Sequence, residues 1–286
     1  MTTPPTWLVR AVTESLPDLA GGSWLPLAGG RINRVWKVGD QVVKCYDPGG
    51  HSPLFPNDPL AEAQALRQFG PIGLSPDLSQ TGQGWLAYRH VPGQTWAAGT
   101  GAVARFLHRL HGSAATGLRP LASGSAALTS AAEAILAGCR ARLARPDAPG
   151  IAPWPDPRPI HGDAVPGNLV LGPAGLVAID WQCPALGDPA EDIATFLSPA
   201  MQLLYRGAPL STDEVAEFFA AYPDQAVVTR YQALRPLFHW RMAAHCLWRA
   251  ERGDPAYRAA LQLELAQISV PIQTPSATIA PPASIQ

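Results

Sequence analysis

The chain has 286 residues, of which 47% are hydrophobic and 15% charged, with a formal net charge of −1. That length and apolar content suffice for one or two packed domains. A balanced charge with no run of one sign gives no sign of a nucleic-acid surface or a basic arm, so a site for a highly charged partner would have to be local.

The elements follow in chain order. From Trp24 to Tyr46 the pattern is short and strand-like. Gly39-Asp40 joins Val35–Val38 to Gln41–Tyr46 as a two-residue hairpin turn. A Pro/Gly-rich loop, 47–59, leads into Leu60–Phe69, a run of good helix formers stopped by Gly70-Pro71. Trp85–Tyr88 reads as another strand, ending at Val91-Pro92-Gly93. Beyond it the character is helical: Val103, Phe106, Leu107 and Leu110 recur at helix spacing, with Gly112 as the stop. Ser130–Glu133 reads as a capping box opening a helix through about Leu143. A Pro-rich connector, 146–159, precedes a hairpin pattern from Leu169 to Ile179. Ser211–Glu214 is a second capping box, and a long aromatic helix is expected from about Arg230 to Arg252. The Pro/Ser/Ala/Thr-rich end, 271–286, reads as disordered. The expected division is a strand-rich lobe, 1–90, and a larger, mainly helical lobe, 91–270.

Cys45, Cys139, Cys183 and Cys246 are scattered, with no C-x-x-C pair. This fits a reducing cytoplasm better than a disulfide framework or a zinc site. No apolar run reaches the ~18 residues of a membrane helix, and no basic region with a long apolar run opens the chain. A soluble, cytoplasmic protein is expected, with neither nucleic acid nor membrane as partner. Nineteen arginines stand against two lysines, Lys37 and Lys44, and only three asparagines occur, Asn33, Asn57 and Asn168. Where Lys or Asn appears, its particular chemistry is worth a question.

The densest segment is Ile160-His161-Gly162-Asp163-Ala164-Val165-Pro166-Gly167-Asn168, followed by Ile179-Asp180-Trp181. An Asp and an Asn five apart on a Pro/Gly loop can point at one spot, and an Asp ending the next strand can join them. A carboxylate can take the proton of an attacking hydroxyl, while an amide oxygen and a second carboxylate are hard ligands suited to Mg²⁺. Phosphoryl transfer needs such a set.

His-Gly-Asp-x-x-Pro-x-Asn, then Ile-Asp-Trp, then Gly187-Asp188-Pro189-x-x-Asp192 resembles the aminoglycoside phosphotransferase/choline kinase family. These enzymes are small-molecule relatives of protein kinases, and the motifs run in the family's order over roughly 24–200. The resemblance implies an α+β, protein-kinase-like two-lobed fold, with a nucleotide-binding N-lobe and a catalytic, substrate-binding C-lobe. It implies ATP and Mg²⁺ as cofactors, Asp163 as the base, and Asn168 and Asp180 as metal ligands. Asp192 would hold the catalytic loop by hydrogen bonds. Gly29, Gly30 and Asn33 lie where the family has its phosphate loop. Lys44 takes the place of the phosphate-binding lysine, with Glu62 its ion-pair partner on the following helix. Tyr88, Arg89 and His90 would form the hinge that meets adenine. The chain departs from the pattern at Val165, where many relatives carry His.

Several readings stay open. The acceptor implied is a small hydroxyl compound: an amino alcohol such as choline or ethanolamine, thiamine, a sugar or an aminoglycoside. Tyr231, Phe238, Trp240 and Trp248 either pack the core or line a pocket for a cation. Glu191, Asp213, Glu214 and Glu217 are read as solvated helix charges. His108 and His111, three apart on a helix, are read as surface or packed residues, not metal ligands. His161 packs beneath the loop. The rivals to an active kinase are a kinase-fold pseudoenzyme that binds nucleotide and a metal-dependent hydrolase built on His161, Asp163 and Asp180. The oligomeric state is left undetermined.

Overall fold

The structure is a computed structural model, and it describes residues 3–27 and 32–268. Gly29, Gly30 and the 271–286 end therefore lie outside the described residues.

In chain order the elements are α1 (Thr6–Ser15), β1 (Leu25–Pro26), β2 (Arg34–Val38), β3 (Gln41–Cys45), α2 (Pro59–Phe69), β4 (Leu78–Gly82), β5 (Trp85–Arg89) and β6 (Gln94–Thr95). Next come α3 (Thr100–His111), α4 (Gly124–Ala137), β7 (Arg158–Ile160), β8 (Leu169–Gly172), β9 (Gly175–Ala178) and β10 (Ala185–Gly187). The helices α5 (Ala190–Leu197), α6 (Pro199–Arg206), α7 (Thr212–Ala221), α8 (Gln225–Glu251) and α9 (Ala256–Ile268) follow. The N-lobe is an antiparallel sheet in the order β1-β2-β3-β5-β4, and the C-lobe is mainly helical with two small sheets, β6-β8-β9 and β10-β7.

Strand periodicity sorts the N-lobe sheet into two faces. Trp36, Val38, Val43, Cys45, Trp85 and Ala87 bury against Leu8 and Val12 of α1 on one side. Val42, Tyr46, Leu86 and Tyr88 pack on the other with α2 and the C-lobe. Lys44 shares that inner parity with Val42 and Tyr46. One side chain in an apolar series is thus carried to the interlobe face by register alone.

The sequence gives no warning of α1. Pro5 stands at its N-cap with no side-chain hydrogen bond, and its first turn has no acidic residue. Tertiary contact selects it, by covering the outer face of the sheet. The expected box at Ser130–Glu133 lies inside α4, which starts at Gly124 and ends before Gly138. The Ser123 hydroxyl instead accepts from the Trp154 N–H at 2.8 Å, tying the helix start to the Pro-rich connector. The box at Ser211 forms as expected, with both reciprocal bonds present. The aromatic helix starts earlier than its pattern, because Asp224 caps the N–H groups of Ala226 and Val227.

Tyr231, Phe238 and Trp240 are buried in the main core. Glu191 is not a solvated charge: it is 5% exposed and bonded through both carboxylate oxygens to Arg241. Nor is Glu217 free, since it accepts from the Thr100 hydroxyl and the Gly101 N–H at the start of α3. His111, 1% exposed, bridges the Tyr222 hydroxyl at 2.7 Å and Asp192 at 3.1 Å inside the core.

Candidate active site

The site is assembled at one cleft of about 640 Å³ between the lobes. Its walls include Asn33, Lys44, Tyr88, Asp163, Asn168 and Asp180, which are far apart in sequence.

From the N-lobe, Lys44 is 2% exposed and its ammonium contacts two carboxylates. It donates to Glu62 Oε2 at 2.5 Å and to Asp180 Oδ1. Glu62 is positioned by its helix: Asp58 caps α2 by accepting from the N–H groups of Leu60 and Ala61, and the next turn aims Glu62 inward. Tyr46, two residues beyond Lys44 on the same face, donates its hydroxyl to the same Glu62 oxygen at 2.5 Å. The other carboxylate oxygen, Glu62 Oε1, is buried without a partner. Burial alone would pull the Lys44 ammonium down, but Asp180 and Glu62 more than offset it and hold the charge above its ordinary range. Burial leads in pushing the Tyr46 hydroxyl up, with the Glu62 charge next.

From the C-lobe, the loop after β7 is fixed from below. Asp192 accepts from the His161 N–H and the Gly162 N–H, each at 2.8 Å. Burial opposes the Asp192 charge, yet hydrogen bonds and nearby histidines hold its carboxyl below the usual range. His161 packs against Trp181 with the rings tilted and their centroids 4.4 Å apart, its Nε2 meets the Ile179 carbonyl at 3.1 Å, and its Nδ1 accepts from the Asp163 N–H at 3.2 Å. It is a strut under the loop, held neutral first of all by burial. Gly162 has φ +77°, and a Cβ there would lie 2.3 Å from the Cys183 carbonyl oxygen. Only glycine fits, because these two segments of the chain touch backbone to backbone.

Asn168 ends a tight turn begun by Pro166. Its amide donates to the Asp163 carbonyl at 2.9 Å and to Asp163 Oδ2 at 3.2 Å. The amide nitrogen is committed to Asp163 while the residue lines the cleft. Burial first, and then the charge of Asp180, push the Asp163 carboxyl up to about 8, with the Asn168 hydrogen bond and Lys44 pulling the other way. Asp180 follows β9 with φ +62°, the positive-φ residue other than glycine among the described residues. Backbone in that region costs a side-chain-bearing residue free energy, and such strain gathers at functional sites.

Asn33 is fully engaged. Its Oδ1 accepts from the Asp47 N–H and from Asn57, and its amide donates to Asn57 at 2.8 Å and to Gln182 at 3.1 Å. It ties the loop after β3 to the segment after Asp180. His90 lies apart from the cleft walls, and its backbone N–H donates to the Asp40 carbonyl at 2.7 Å. Tyr46 and Gln182 were not singled out from sequence. Tyr46 was within reach, since it repeats the parity of Lys44, whereas Gln182 shows no such signal. Ser52, Phe55, Tyr205, His245, Arg249 and Tyr257, which also line the walls, come from elements that only folding brings together.

Among the described residues no cluster of three or more His, Cys, Asp or Glu side chains could hold a metal unaided. Asn168 and Asp180 offer one amide oxygen and one carboxylate on the same cleft. That suits Mg²⁺, which takes one or two protein carboxylates and fills its octahedron with water and phosphate oxygens.

The family model for APH, the phosphotransferase enzyme family, matches residues 23–237. Among solved structures, the chain is similar to a choline/ethanolamine kinase family protein from Mesorhizobium loti: TM-score 0.67, 20% identity, covering 91% of this chain and 92% of that one. It is also similar to the choline kinase LicA from Streptococcus pneumoniae: TM-score 0.60, 16% identity, covering 91% and 100%. A third is the macrolide 2'-phosphotransferase MphH from Brachybacterium faecium: TM-score 0.51, 17% identity, covering 94% and 100%. LicA has also been crystallised in complex with AMP. No curated protein gives a significant match. At these identities the structural likeness speaks for the fold.

Proposed function

The chain belongs to the phosphotransferase enzyme family, and from that premise we propose that it is an ATP- and Mg²⁺-dependent kinase moving the γ-phosphoryl group to a hydroxyl of a small molecule. The observation that carries the reading is the convergence of Lys44, Asp163, Asn168 and Asp180 on one cleft, with Lys44 clamped between Glu62 and Asp180. Nucleotide complexes of similar structures, such as LicA with AMP, support nucleotide binding.

In this reading Asp163 orients the acceptor hydroxyl and receives its proton. The positive charge that Mg²⁺ would bring beside Asp180 favours the ionised carboxylate that can accept this proton. The acceptor oxygen bonds to the γ-phosphorus, the bond to the bridging oxygen breaks, and ADP leaves with the electron pair. Lys44 holds phosphate oxygens, and Glu62 with Tyr46 keeps its ammonium in place. Asn168 and Asp180 would hold Mg²⁺, which when bound supplies positive charge against the phosphate oxygens. Asp192 and His161 keep the loop rigid. Tyr88 and the apolar walls formed by Leu27, Val35 and Ile179 suit a flat base. Gly29 and Gly30 are assigned to phosphate contact by family resemblance. Little covalent chemistry is asked of the protein, so positioning and charge neutralisation provide the rate.

The test is ADP release from ATP and Mg²⁺ over a panel of amino alcohols, vitamins, sugars and aminoglycosides, with Asp163→Ala beside the wild type. Stimulation by one acceptor class in the wild type alone is the expected result. ATP binding without transfer to any acceptor would favour a nucleotide-binding module, and no ATP binding would sink the kinase reading.

A further inference from the structure

The cleft that holds Asp163 is also walled by Phe55, Tyr205, His245, Arg249 and Tyr257, none of them needed for the phosphate-facing set. His245 is 2% exposed, and its Nδ1 is buried with no hydrogen-bond partner. Phe55 and Tyr257 meet its ring edge-on at 5.0 and 5.7 Å, and Trp248 stacks on it at 6.4 Å. The other ring nitrogen, Nε2, is not sealed off in this way and bonds to no group among the described residues, so at the wall of an open cleft its partner is on the molecule the cleft receives. Burial first, then the charge of Arg249, push His245 down to about 3, so the ring is neutral, with one nitrogen that donates and one that accepts.

Charge around this ring narrows the guest. Arg249 enters the same cleft, bonds Asp254 at 3.1 Å and lies over the Tyr257 ring at 5.2 Å. A second recess of about 480 Å³ shares Arg249 and adds His51 and Arg252 beside Asp47 and Asp254. Arg252 covers the Trp248 ring at 4.1 Å. A cation-binding aromatic box needs free ring faces, and here two of them already carry the protein's own guanidinium groups. The carboxylates in the cleft wall, among the described residues, are Asp163 and Asp180, both claimed by phosphoryl transfer. Asp254 is bonded to Arg249, and Asp47 accepts the Gly49 N–H.

Resting on the kinase reading, we infer that His245 and Arg249 recognise the phosphoryl acceptor, and that this acceptor is an oxygen-rich alcohol without positive charge: a sugar, polyol or hydroxy acid. Its oxygen functions satisfy the neutral imidazole and the guanidinium, whereas an ammonium would face Arg249 with no carboxylate to spare.

Saturation-transfer NMR on the full chain with ADP and Mg²⁺ tests this, with glucose, glycerol, glycerate, choline and ethanolamine as probes. Binding of the oxygen-rich probes and not of the two amines is expected. His245→Phe keeps the aromatic packing and removes the nitrogens, and should weaken that binding on the order of tenfold, as one lost hydrogen bond implies. Arg249→Gln, at the rim and clear of the core, should do the same for glycerate. Choline or ethanolamine binding as well as the oxygen-rich probes, silence from every probe with ADP bound, or binding unchanged in both variants would each overturn the inference while leaving the kinase reading intact. Failure to bind ADP and ATP would remove the kinase reading, and the inference with it.

Discussion

Replacing Lys44 by Met keeps the length of the side chain and deletes its charge, leaving Glu62 inside the protein without a cation. Glu62 is 0% exposed, one of its oxygens has no partner, and Tyr46 alone would remain to donate to the other. Breaking a buried pair from one side costs ~3–5 kcal/mol, because the surviving charge stays desolvated. The double variant Lys44→Met/Glu62→Gln removes that charge too, and should recover most of the loss, since a neutral amide can still accept from Tyr46. Urea unfolding of the metal-free wild type, both single variants and the double variant gives the coupling directly. Activity should follow a different pattern: ADP release should fall by ~100-fold or more in Lys44→Met and stay down in the double variant, because restoring the fold does not restore the phosphate contact. A Lys44→Met variant within ~1 kcal/mol of wild type, with no gain from the second substitution, would refute the idea that Lys44 neutralises a buried carboxylate. Recovery of activity in the double variant would refute its role at the phosphate.

Asp163→Asn should stabilise the metal-free chain. Folding raises the Asp163 carboxyl from 3.8 to about 8, so between those values the folded chain holds a proton that the unfolded chain releases. Stability is then lost as pH rises through that window, by at most ~1.4 kcal/mol per pH unit. The advantage of the Asn variant in urea midpoint should grow from pH 5 to pH 8; parallel profiles would contradict it. Asp192 has the opposite sign. Its folded carboxyl is depressed, so it adds stability above its unfolded pKa and loses that contribution as pH falls through the folded value. Asp192→Ala should flatten the acid limb and strand the buried His161 N–H, at ~1–3 kcal/mol, together with the half-buried Gly162 N–H; an unchanged acid limb would argue against it. Gly162→Ala combines a left-handed backbone with a Cβ 2.3 Å from a carbonyl oxygen. It should cost more than the ~1–2 kcal/mol of the backbone term alone, which thermal unfolding would read as a large fall in Tm.

Much of the site could be read along the chain because its parts are local. Asp163 and Asn168 sit on one short Pro/Gly turn, and Asp180 closely follows the strand that pairs with the one leaving that turn. Lys44 stands out in a chain with two lysines, and strand parity alone turns it to the inner face. The hairpin at Gly39-Asp40, helix α2 and the Ser211 box also follow from turn and cap chemistry within a few residues. Other features depend on contacts between distant segments. Helix α1 has no cap and exists because the outer face of the sheet needs cover. Glu191 has the composition of a surface charge, and only the arrival of Arg241 fifty residues later makes it a buried pair. His245 sits toward the C-terminal end of an aromatic helix, where periodicity reports core packing and nothing more. Its unpaired nitrogen and the arginines on the neighbouring rings take meaning once α8, α9 and the loop before α2 close around one cleft, because hydrogen-bond satisfaction and burial are properties of the assembled volume and not of any one segment.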